Sequence, residues 1–472
     1  MKIRMSVLKR IGLVLVSVVV TLSPARSQEK MSFSLREAQV YALEHNYDIR
    51  NALIDIEMAR KKVKEQTAIG FPQIDATVSY TNYLDIPTQL IPDFISPAVM
   101  AVNENIYGLS PVVEVPSEPR YFETQFGIQH NATWGATLNQ LIFSGKYIVG
   151  LQAAKAYLSL SQTSLAKSQI EIRDAVAKAY FPVVILQENR KVFDSTLTNL
   201  KKMRDETLAF YQTGFVEETD VDQINLLISD MENTLSNLDN QLEISVNTFK
   251  FLLGLDENIE VEFTDKLDDL ISSFDPNQLL MKPFDIQAHI DYKIMKNQEA
   301  VKELMVSLNR SEYLPSINGF YSYQENAMRD NFNFFDFTKS WYPNQMIGIQ
   351  MNIPIWSSGA RKYKVQQAKL DLEKVRIQDE MLRHSLPLKV RTARSEFNNA
   401  YLIYNNKKMA LENAKKIYDR NRTKYAEGMV TSLALAQSYN QYLTSQIDML
   451  TSALNMLTKK SELEKELTDV RK

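Results

Sequence analysis

The chain contains no cysteine in its 472 residues. We therefore expect neither disulfides nor a lipid-modified N-terminal cysteine, and stability must come from packing or from assembly with other chains. Glycine, with 13 residues, and proline, with 15, are also few for this length. The small number of residues that break helices and strands predicts few, long elements.

Other absences exclude whole classes of function. No acidic or cysteine cluster accompanies the four histidines, so we expect no metal site; they are His45, His130, His289 and His384. No glycine-rich phosphate loop follows a strand, and no enzyme constellation is present, so we expect no cofactor and no catalysis. The net charge of −3 is unfavourable for binding nucleic acid.

Residues 1–27 are predicted to be a secretory signal peptide. Basic residues between Lys2 and Arg10 precede the apolar segment 11–22, and small residues surround a cleavage site after Ser27. A single anchoring helix is the alternative, but the apolar run is short for one. Residues 28–472 contain no apolar run long enough for a transmembrane helix. We therefore expect the protein to leave the cytoplasm.

The segment FPQIDATVSY, residues 71–80, alternates between apolar and polar side chains. Its period of two predicts a β-strand with Ile74, Ala76, Val78 and Tyr80 on one face. LPSINGFYSY (314–323) repeats this motif, and two further pairs follow in the same order: LNQLIFSGKY with MNIPIWSSGARKY, and FYQTGFVEETDVDQ with KYAEGMVTSLALAQ. The ordered set predicts one internal duplication.

Each half is predicted to run helix, strand, loop, strand, long helix, tight turn and long helix. The second strands fall at 122–143 and 346–356, and the loops at about 84–120 and 325–343 are interpreted as irregular. Long helices are expected at about 146–213 and 360–426, kinked or interrupted at Pro182 and Pro387. Heptad spacing on the helices indicates supercoiled pairs or an ordinary bundle core. The predicted domains are 28–253 and 285–472, joined by a connector at 254–284 with one or two short elements.

About four amphipathic strands per chain would form an open sheet with two exposed edges, which is unfavourable in water and worse in lipid. Helices of the same chain could cover the apolar face in an α+β domain. The polar faces, however, have Gln, Asn, Thr and Ser rather than Lys and Glu, which suits a water-filled lumen. Small barrels need about eight strands. Two chains would supply eight, but three supply twelve and a wide lumen, so we predict a homotrimer.

The barrel model assigns a direction to individual side chains. We expect membrane lipid to contact Val78, Ile128, Ile349 and Met351. Thr77 and Gln129 are expected to face the lumen.

The duplicated motifs resemble those of the TolC-like outer membrane efflux proteins over nearly all of residues 28–472. The stretch from SLREAQVYALEHNYDIR to GFPQIDA is similar to the N-terminal signature of that family, YLPSINGFYSYQ to its repeat, and YQTGFVEETDV and YAEGMVTSLALAQ to its periplasmic tips. The resemblance implies a mainly α-helical, trimeric channel-tunnel. A shared 12-stranded β-barrel in the outer membrane would continue into a coiled-coil α-helical barrel in the periplasm.

The resemblance also implies a passive exit duct for efflux or type I secretion. Its partners would be a periplasmic adaptor (membrane fusion) protein and an inner-membrane transporter of the RND or ABC type, which supplies the energy. The alternative function is a periplasmic coiled-coil adaptor or scaffold without a pore. The strand pairs set between helices in both halves favour the channel.

Candidate gate residues follow from the same resemblance. The contacts that hold the periplasmic end closed in the family match Asp220 and Tyr425. An arginine that also contributes falls on Val430, and an acidic pair that lines the pore falls on Ala434 and Gln437, so the gate is expected to differ in detail. From the residues alone, a helix-capping role for Asp220 is at least as well supported.

Two hairpin turns are candidates for adaptor contact. Gly214 and Gly428 stand where a residue with positive φ would end a helix. The neighbouring side chains would form apolar tips: Phe215, Val216, Met429 and Val430. A turn whose apolar residues are buried as caps is almost as well supported.

Overall fold

The computed structural model describes residues 30–93, 99, 102, 105–107, 121–125, 127–336 and 338–469. The predicted signal peptide, 1–27, lies outside these residues. Two compact units are present, each built from separate stretches of the chain. Unit 1 comprises Met1–Asp55, Ser161–Met295 and Gln378–Lys472, and unit 2 comprises Ile56–Leu160 and Lys296–Ile377.

Helices make up most of the described chain. They are α1 (Leu35–His45), α2 (Tyr47–Ala68), α3 (Gly145–Gln212), α4 (Glu218–Leu253), α5 (Leu267–Ser272), α6 (Pro276–Met281), α7 (Ile290–Ser311), α8 (Ala360–Ala426) and α9 (Ser432–Glu466). The strands are β1 (Lys30–Phe33), β2 (Gln73–Asn82), β3 (Thr88–Pro92), β4 (Tyr121–Gln125), β5 (His130–Ser144), β6 (Glu260–Phe263), β7 (Ser316–Arg329) and β8 (Tyr342–Asn352). Within the described ranges, no helix combines the length and the apolar character needed to cross a membrane.

Unit 2 contains a four-stranded sheet in the order β2-β5-β7-β8, and every neighbouring pair is antiparallel. Strand β2 begins one residue after Pro72 and β7 begins one residue after Pro315. The two matched motifs therefore enter the sheet at equivalent positions. Proline suits the approach to a strand because it has no N–H to donate to the ladder. The four amphipathic strands predicted from the sequence are confirmed.

Three of these strands, β5, β7 and β8, differ from the prediction in their extent. The segment expected to be one strand from 122 to 143 is divided, because Tyr121–Gln125 pairs with Thr88–Pro92, a strand inside the loop predicted to be irregular. Strand β8 ends at Asn352, just before the sequence Ile353-Pro354, since proline interrupts a hydrogen-bonded ladder. Strand β7, in contrast, continues to Arg329.

Unit 1 contains a two-stranded parallel sheet that the sequence analysis missed. Strand β1 pairs with β6, and Phe33 lies beside Phe263 in the register. Both side chains are buried in a core with Tyr180, whose hydroxyl donates to the Phe33 carbonyl at 3.0 Å. Together with α5 and α6, β6 gives the connector three short elements rather than one or two.

Helices α3 and α8 continue through Pro182 and Pro387, so neither proline interrupts its helix. Phe181 and Val183, which flank the first proline, are buried in the core of unit 1, and so is Leu386 beside the second. A proline within a helix cannot donate the usual backbone hydrogen bond, which destabilises the helix. The burial of these neighbouring apolar side chains offsets that loss.

The heptad positions meet in a second hydrophobic cluster of unit 1. Phe193 and Leu200 of α3 pack there with Met231 and Leu235 of α4 and with Tyr439 of α9. The predicted seam is confirmed on α3 and α4. On α9 it is incomplete, because Ile447 is exposed in the single chain. We call α3 with α4 the first hairpin and α8 with α9 the second hairpin.

Candidate functional site

The register of the four-stranded sheet sorts its side chains by polarity. Residues paired across antiparallel strands point to the same face. One face is mainly apolar; its apolar members include Ile74, Ala76, Val78 and Tyr80 on β2, Ala132, Trp134, Ala136 and Leu138 on β5, Ile317, Tyr321 and Tyr323 on β7, and Ile347, Ile349 and Met351 on β8. The polar exceptions on this face include Gln140, Glu325, Arg329 and Gln345. Val78 is 86% exposed and Ile347 is 85% exposed. Water would be a poor solvent for so large an apolar surface.

The opposite face is mainly polar and uncharged. Thr133 donates to Asn326 at 2.8 Å, and the hydroxyls of Thr137 and Ser322 are 3.1 Å apart. Among the described residues of the four strands, Asp75 is the only acidic or basic side chain on this face. Phe320 is an apolar exception, and its ring lies over Gly348, where a Cβ would approach it to 2.7 Å.

Individual side-chain directions agree with the sequence prediction in part. Val78, Ile349 and Met351 lie on the apolar face, and Thr77 lies on the polar face. Ile128 and Gln129 lie between β4 and β5, outside any strand. The prediction for these two residues assumed one continuous strand, and that assumption is wrong.

The sequence analysis missed an aromatic cluster at the end of the sheet remote from the helices. Phe334 packs on Ala132, Ala327 and Trp341, all on or beside the apolar face. The guanidinium of Arg329 lies 5.9 Å from the centre of the Phe334 ring. The aromatic composition of the β7–β8 loop was the available signal, but it does not indicate which face the loop covers.

The two hairpin turns have the same geometry. Gly214 has φ +79° and Gly428 has φ +71°. In each turn the glycine N–H donates to the carbonyl three residues earlier, and the next N–H donates to the carbonyl five residues earlier: Phe215 to Phe210 at 3.0 Å and Met429 to Lys424 at 2.8 Å. This is the Schellman arrangement, which ends a helix and requires a left-handed residue. The predicted positive φ is confirmed at both glycines.

The apolar residues of the turns are not all buried as caps. Phe215 is 81% exposed and Met429 is 67% exposed, whereas Val216 and Val430 are half-buried. No described side chain comes within 4 Å of a Cβ built on either turn glycine. The turns therefore present one exposed apolar side chain each.

The candidate gate residues, Asp220 and Tyr425, form no hydrogen bond with each other in the described chain. Asp220 accepts a hydrogen bond from the Glu217 backbone N–H at 3.2 Å and so caps the start of α4. The hydroxyl of Tyr425 lies 3.2 Å from the hydroxyl of Thr207. Burial raises the pKa of Tyr425, the hydrogen bond with Thr207 lowers it, and the negative charge of Asp220 raises it. Val430 is half-buried, Ala434 is half-buried and Gln437 is exposed.

Metal chemistry has no support in the described parts of the chain, where no group of three or more potential protein ligands occurs. The four histidines lie in different parts of the fold: His45 in α1, His130 in β5, His289 between the 3₁₀ turn Ile286–Ala288 and α7, and His384 in α8.

Comparisons with known proteins agree with this arrangement. A family model described as outer membrane efflux protein matches residues 116–255 and 297–467. A search of curated protein sequences finds no significant match. Among solved structures, the channel-forming protein CusC superposes with a TM-score of 0.68 at 15% identity, covering 92% of each chain.

Two further structures are similar to the same degree. The CmeC outer membrane channel of Campylobacter jejuni gives a TM-score of 0.66 at 16% identity, over 92% of this chain and 85% of that one. The MtrE outer membrane channel of Neisseria gonorrhoeae, solved in an open state, gives a TM-score of 0.66 at 16% identity, over 92% of this chain and 88% of that one. The predicted fold class, that of the TolC-like channel-tunnels, is confirmed.

Proposed function

Since this chain belongs to the outer membrane efflux protein family, we propose that three copies form a passive, water-filled duct from the periplasm to the exterior. The family consists of outer membrane channels, so the protein is an outer membrane efflux channel and not an enzyme. We also propose that the signal peptide 1–27 directs the chain out of the cytoplasm.

The unpaired edges of the four-stranded sheet are the observation that supports assembly into a closed barrel. Among the described residues, β2 and β8 each pair with one strand only, and nearly all of their residues are exposed. An open edge in lipid leaves backbone N–H and C=O groups unsatisfied, at a cost of several kcal/mol each. Pairing β2 of one chain with β8 of the next removes both edges. Three chains close a barrel of about twelve strands, with the apolar face in lipid and the polar face in water.

The repeats supply equivalent parts to this assembly. Residues 28–253 contribute β2, β5 and the first hairpin, and residues 285–472 contribute β7, β8 and the second hairpin. The connector 254–284 joins them. We propose that the hairpins of three chains form the helical barrel in the periplasm.

The hairpin turns are the proposed docking points. Phe215 and Met429 are exposed, and Val216 and Val430 beside them complete the apolar tips around Gly214 and Gly428. An apolar surface at the end of a helical hairpin suits contact with a partner protein. We propose that a periplasmic adaptor binds there and connects the duct to an energised inner-membrane transporter of the RND or ABC type. Tyr425 marks the proposed gate, and Asp220, the other residue that the family resemblance implies there, caps the start of α4.

Cysteine cross-linking tests the assembly, because the natural chain has no cysteine. Ala76→Cys on β2 would be combined in turn with cysteine at Gln345, Ile347, Ile349 or Met351 on β8, all on the apolar face. Oxidation in outer membranes should give covalent trimers for the pair whose register matches, and no larger product. Covalent dimers as the end product, or a ladder beyond three chains, would contradict the closed trimer.

An interior strand provides the matched control. Ala136→Cys lies on the same face of β5 but has neighbours on both sides within the chain. Combined with the same β8 positions, it should give no product between chains. A carbonate wash of the membranes distinguishes the channel from the alternative function. A periplasmic scaffold without a pore would be released, whereas a barrel would stay in the membrane.

A further inference from the structure

Thr207 makes an unusual contact for a threonine within a long helix. Its hydroxyl lies 3.2 Å from the hydroxyl of Tyr425, which belongs to the other hairpin. Threonines in helices commonly donate to the carbonyl four residues earlier. Two others on α3 do so: Thr196 to Val192 at 2.8 Å and Thr198 to Asp194 at 3.0 Å. Thr213, the residue after α3, likewise donates to Ala209 at 3.1 Å.

The Thr207 contact matters for stability because the side chain is buried. Thr207 is 1% exposed, and its hydroxyl needs a partner because an unpaired buried polar group is costly. Tyr425 is half-buried against the hydrophobic cluster of the hairpins. Water is therefore a weak competitor for this hydrogen bond.

The position of Tyr425 connects the bond to the second turn. The Tyr425 carbonyl accepts the N–H of Gly428 at 2.9 Å, so the residue is part of the Schellman turn itself. Its side chain reaches α3, seven residues before the glycine of the first turn. A displacement of the second turn relative to α3 would break the bond.

The Asp220 side chain forms its hydrogen bond at the start of its own helix, α4. Its carboxylate accepts from the Glu217 N–H and forms no hydrogen bond with Tyr425 in the described chain. Its charge acts on Tyr425 through space and raises the pKa of that phenol. A capping carboxylate stabilises the start of α4 whether or not the tip is closed.

We infer that Thr207 is the positioning residue for Tyr425, and that the bond between their hydroxyls is a latch between the two hairpins of one chain at the closed tip. The latch rests on the proposed function, since only a duct with a closing tip requires one. Asp220 acts as a helix cap in this arrangement. Both latch groups are uncharged hydroxyls, in place of the tyrosine–carboxylate pair that the family resemblance implies.

Single-channel recording of the full-length protein in planar lipid bilayers tests the latch. Thr207→Val removes the hydroxyl with little change in volume, and Tyr425→Phe removes the other hydroxyl. Each should raise the ratio of open to closed time about 2- to 10-fold, the worth of one neutral hydrogen bond. The double variant should open no more than either single one, because both changes remove the same bond. Thr207→Ser should behave as the parent.

Matched controls separate a latch from general loosening of the helices. Thr196→Val removes a buried hydroxyl of α3 that bonds only within its own helix. Tyr439→Phe removes a buried hydroxyl of the same cluster that has no hydrogen-bond partner in the described chain. Neither should change the open time. Equal opening by Thr196→Val would overturn the inference, because the effect would then be one of helix stability.

Asp220→Asn distinguishes the two candidate partners of Tyr425. Asparagine can still accept from the Glu217 N–H, so gating should stay at the parental level. If Asp220→Asn opens the channel as much as Tyr425→Phe while Thr207→Val does not, the latch is the tyrosine–carboxylate pair and the inference is wrong. Absence of any conductance from the parent protein would instead contradict the proposed duct.

Discussion

Val78 of β2 lies directly opposite Trp134 of β5, and both side chains are exposed on the apolar face of the sheet. Removing a valine or a larger apolar side chain from water contributes a favourable free energy of about 1.5–3 kcal/mol. Many such side chains share this face, so the sheet is stable only where another apolar phase covers it. Hydrocarbon of the outer membrane is that phase in the proposed barrel.

Arginine on the apolar face should prevent stable insertion. Val78→Arg is expected to cost about 2–4 kcal/mol near the bilayer midplane. Thr77→Arg, one residue away on the polar face, should be tolerated because its side chain enters water. Heat-stable trimers in outer membranes, measured on mildly denaturing gels, provide the comparison. Similar yields from both variants would show that the faces are reversed or that the sheet is not in lipid.

Charge at the hairpin turns should abolish export. Phe215→Glu and Met429→Glu place carboxylates where an apolar adaptor surface is proposed to bind, and both parent side chains are exposed, so folding should be unaffected. Export of a reporter substrate should fall to the level of a deletion strain while trimers persist. Phe215→Leu and Met429→Leu keep apolar tips and should keep export. Normal export from the glutamate variants would place docking elsewhere.

Alanine at a turn glycine should destabilise the hairpin through backbone strain alone. Gly214→Ala forces a side chain into φ +79° and should lower the free energy of unfolding by about 1–2 kcal/mol, although the space around its Cβ is open. Gly150→Ala, inside α3 and in contact only with the end of the Gln66 side chain, should instead be stabilising by about 0.5–1 kcal/mol. Denaturant unfolding followed by helical circular dichroism measures both, and equal effects would contradict the strain argument.

Glu299 should make stability depend on pH in acid. Lys296 at 2.8 Å, and to a smaller extent Arg376 at 3.2 Å, hold the pKa of this carboxyl below its usual range. A lowered folded pKa means that the contribution is complete above the unfolded pKa and is lost as the pH falls through the folded one. Since both cations are more than one third exposed, we expect only about 0.5–1 kcal/mol.

The measurement compares the parent with Glu299→Gln over a pH series. The difference in unfolding free energy should be constant from neutral pH down to about 5, above the ordinary pKa of a glutamate, and should be lost as the pH falls through the lowered folded pKa. Glu303→Gln is the control, because Glu303 contacts Arg376 but is 53% exposed. Its effect should be smaller, and a larger effect would contradict the assignment of Glu299.

The sheet was predictable from the sequence because its information is local. Pro72 and Pro315 mark the strand starts, and the alternation after each of them defines the two faces. The β1–β6 pair was not predictable in this way. Each strand has four residues, too few for a periodicity. Their pairing joins Lys30, at the start of the first repeat, to Glu260 in the connector.

Tertiary packing decided the remaining differences. Proline propensity predicts a break at Pro182, but buried neighbours maintain the helix. At the tip, the sequence identifies Tyr425 through the family resemblance, yet several threonines are available on α3. Only coordinates distinguish Thr207, whose hydroxyl faces another helix, from Thr196, whose hydroxyl faces its own backbone.

The solitary Asp75 on the polar face has a consequence for ion permeation. Three copies would place three carboxylates in a wall lined mainly by uncharged side chains. At about 0.15 M salt their fields decay within about 8 Å, a short distance in a wide lumen. The barrel should therefore pass cations and anions at nearly their bulk mobilities, and a potassium chloride gradient should give a reversal potential close to zero. Any discrimination between ions must then arise at the constricted helical end.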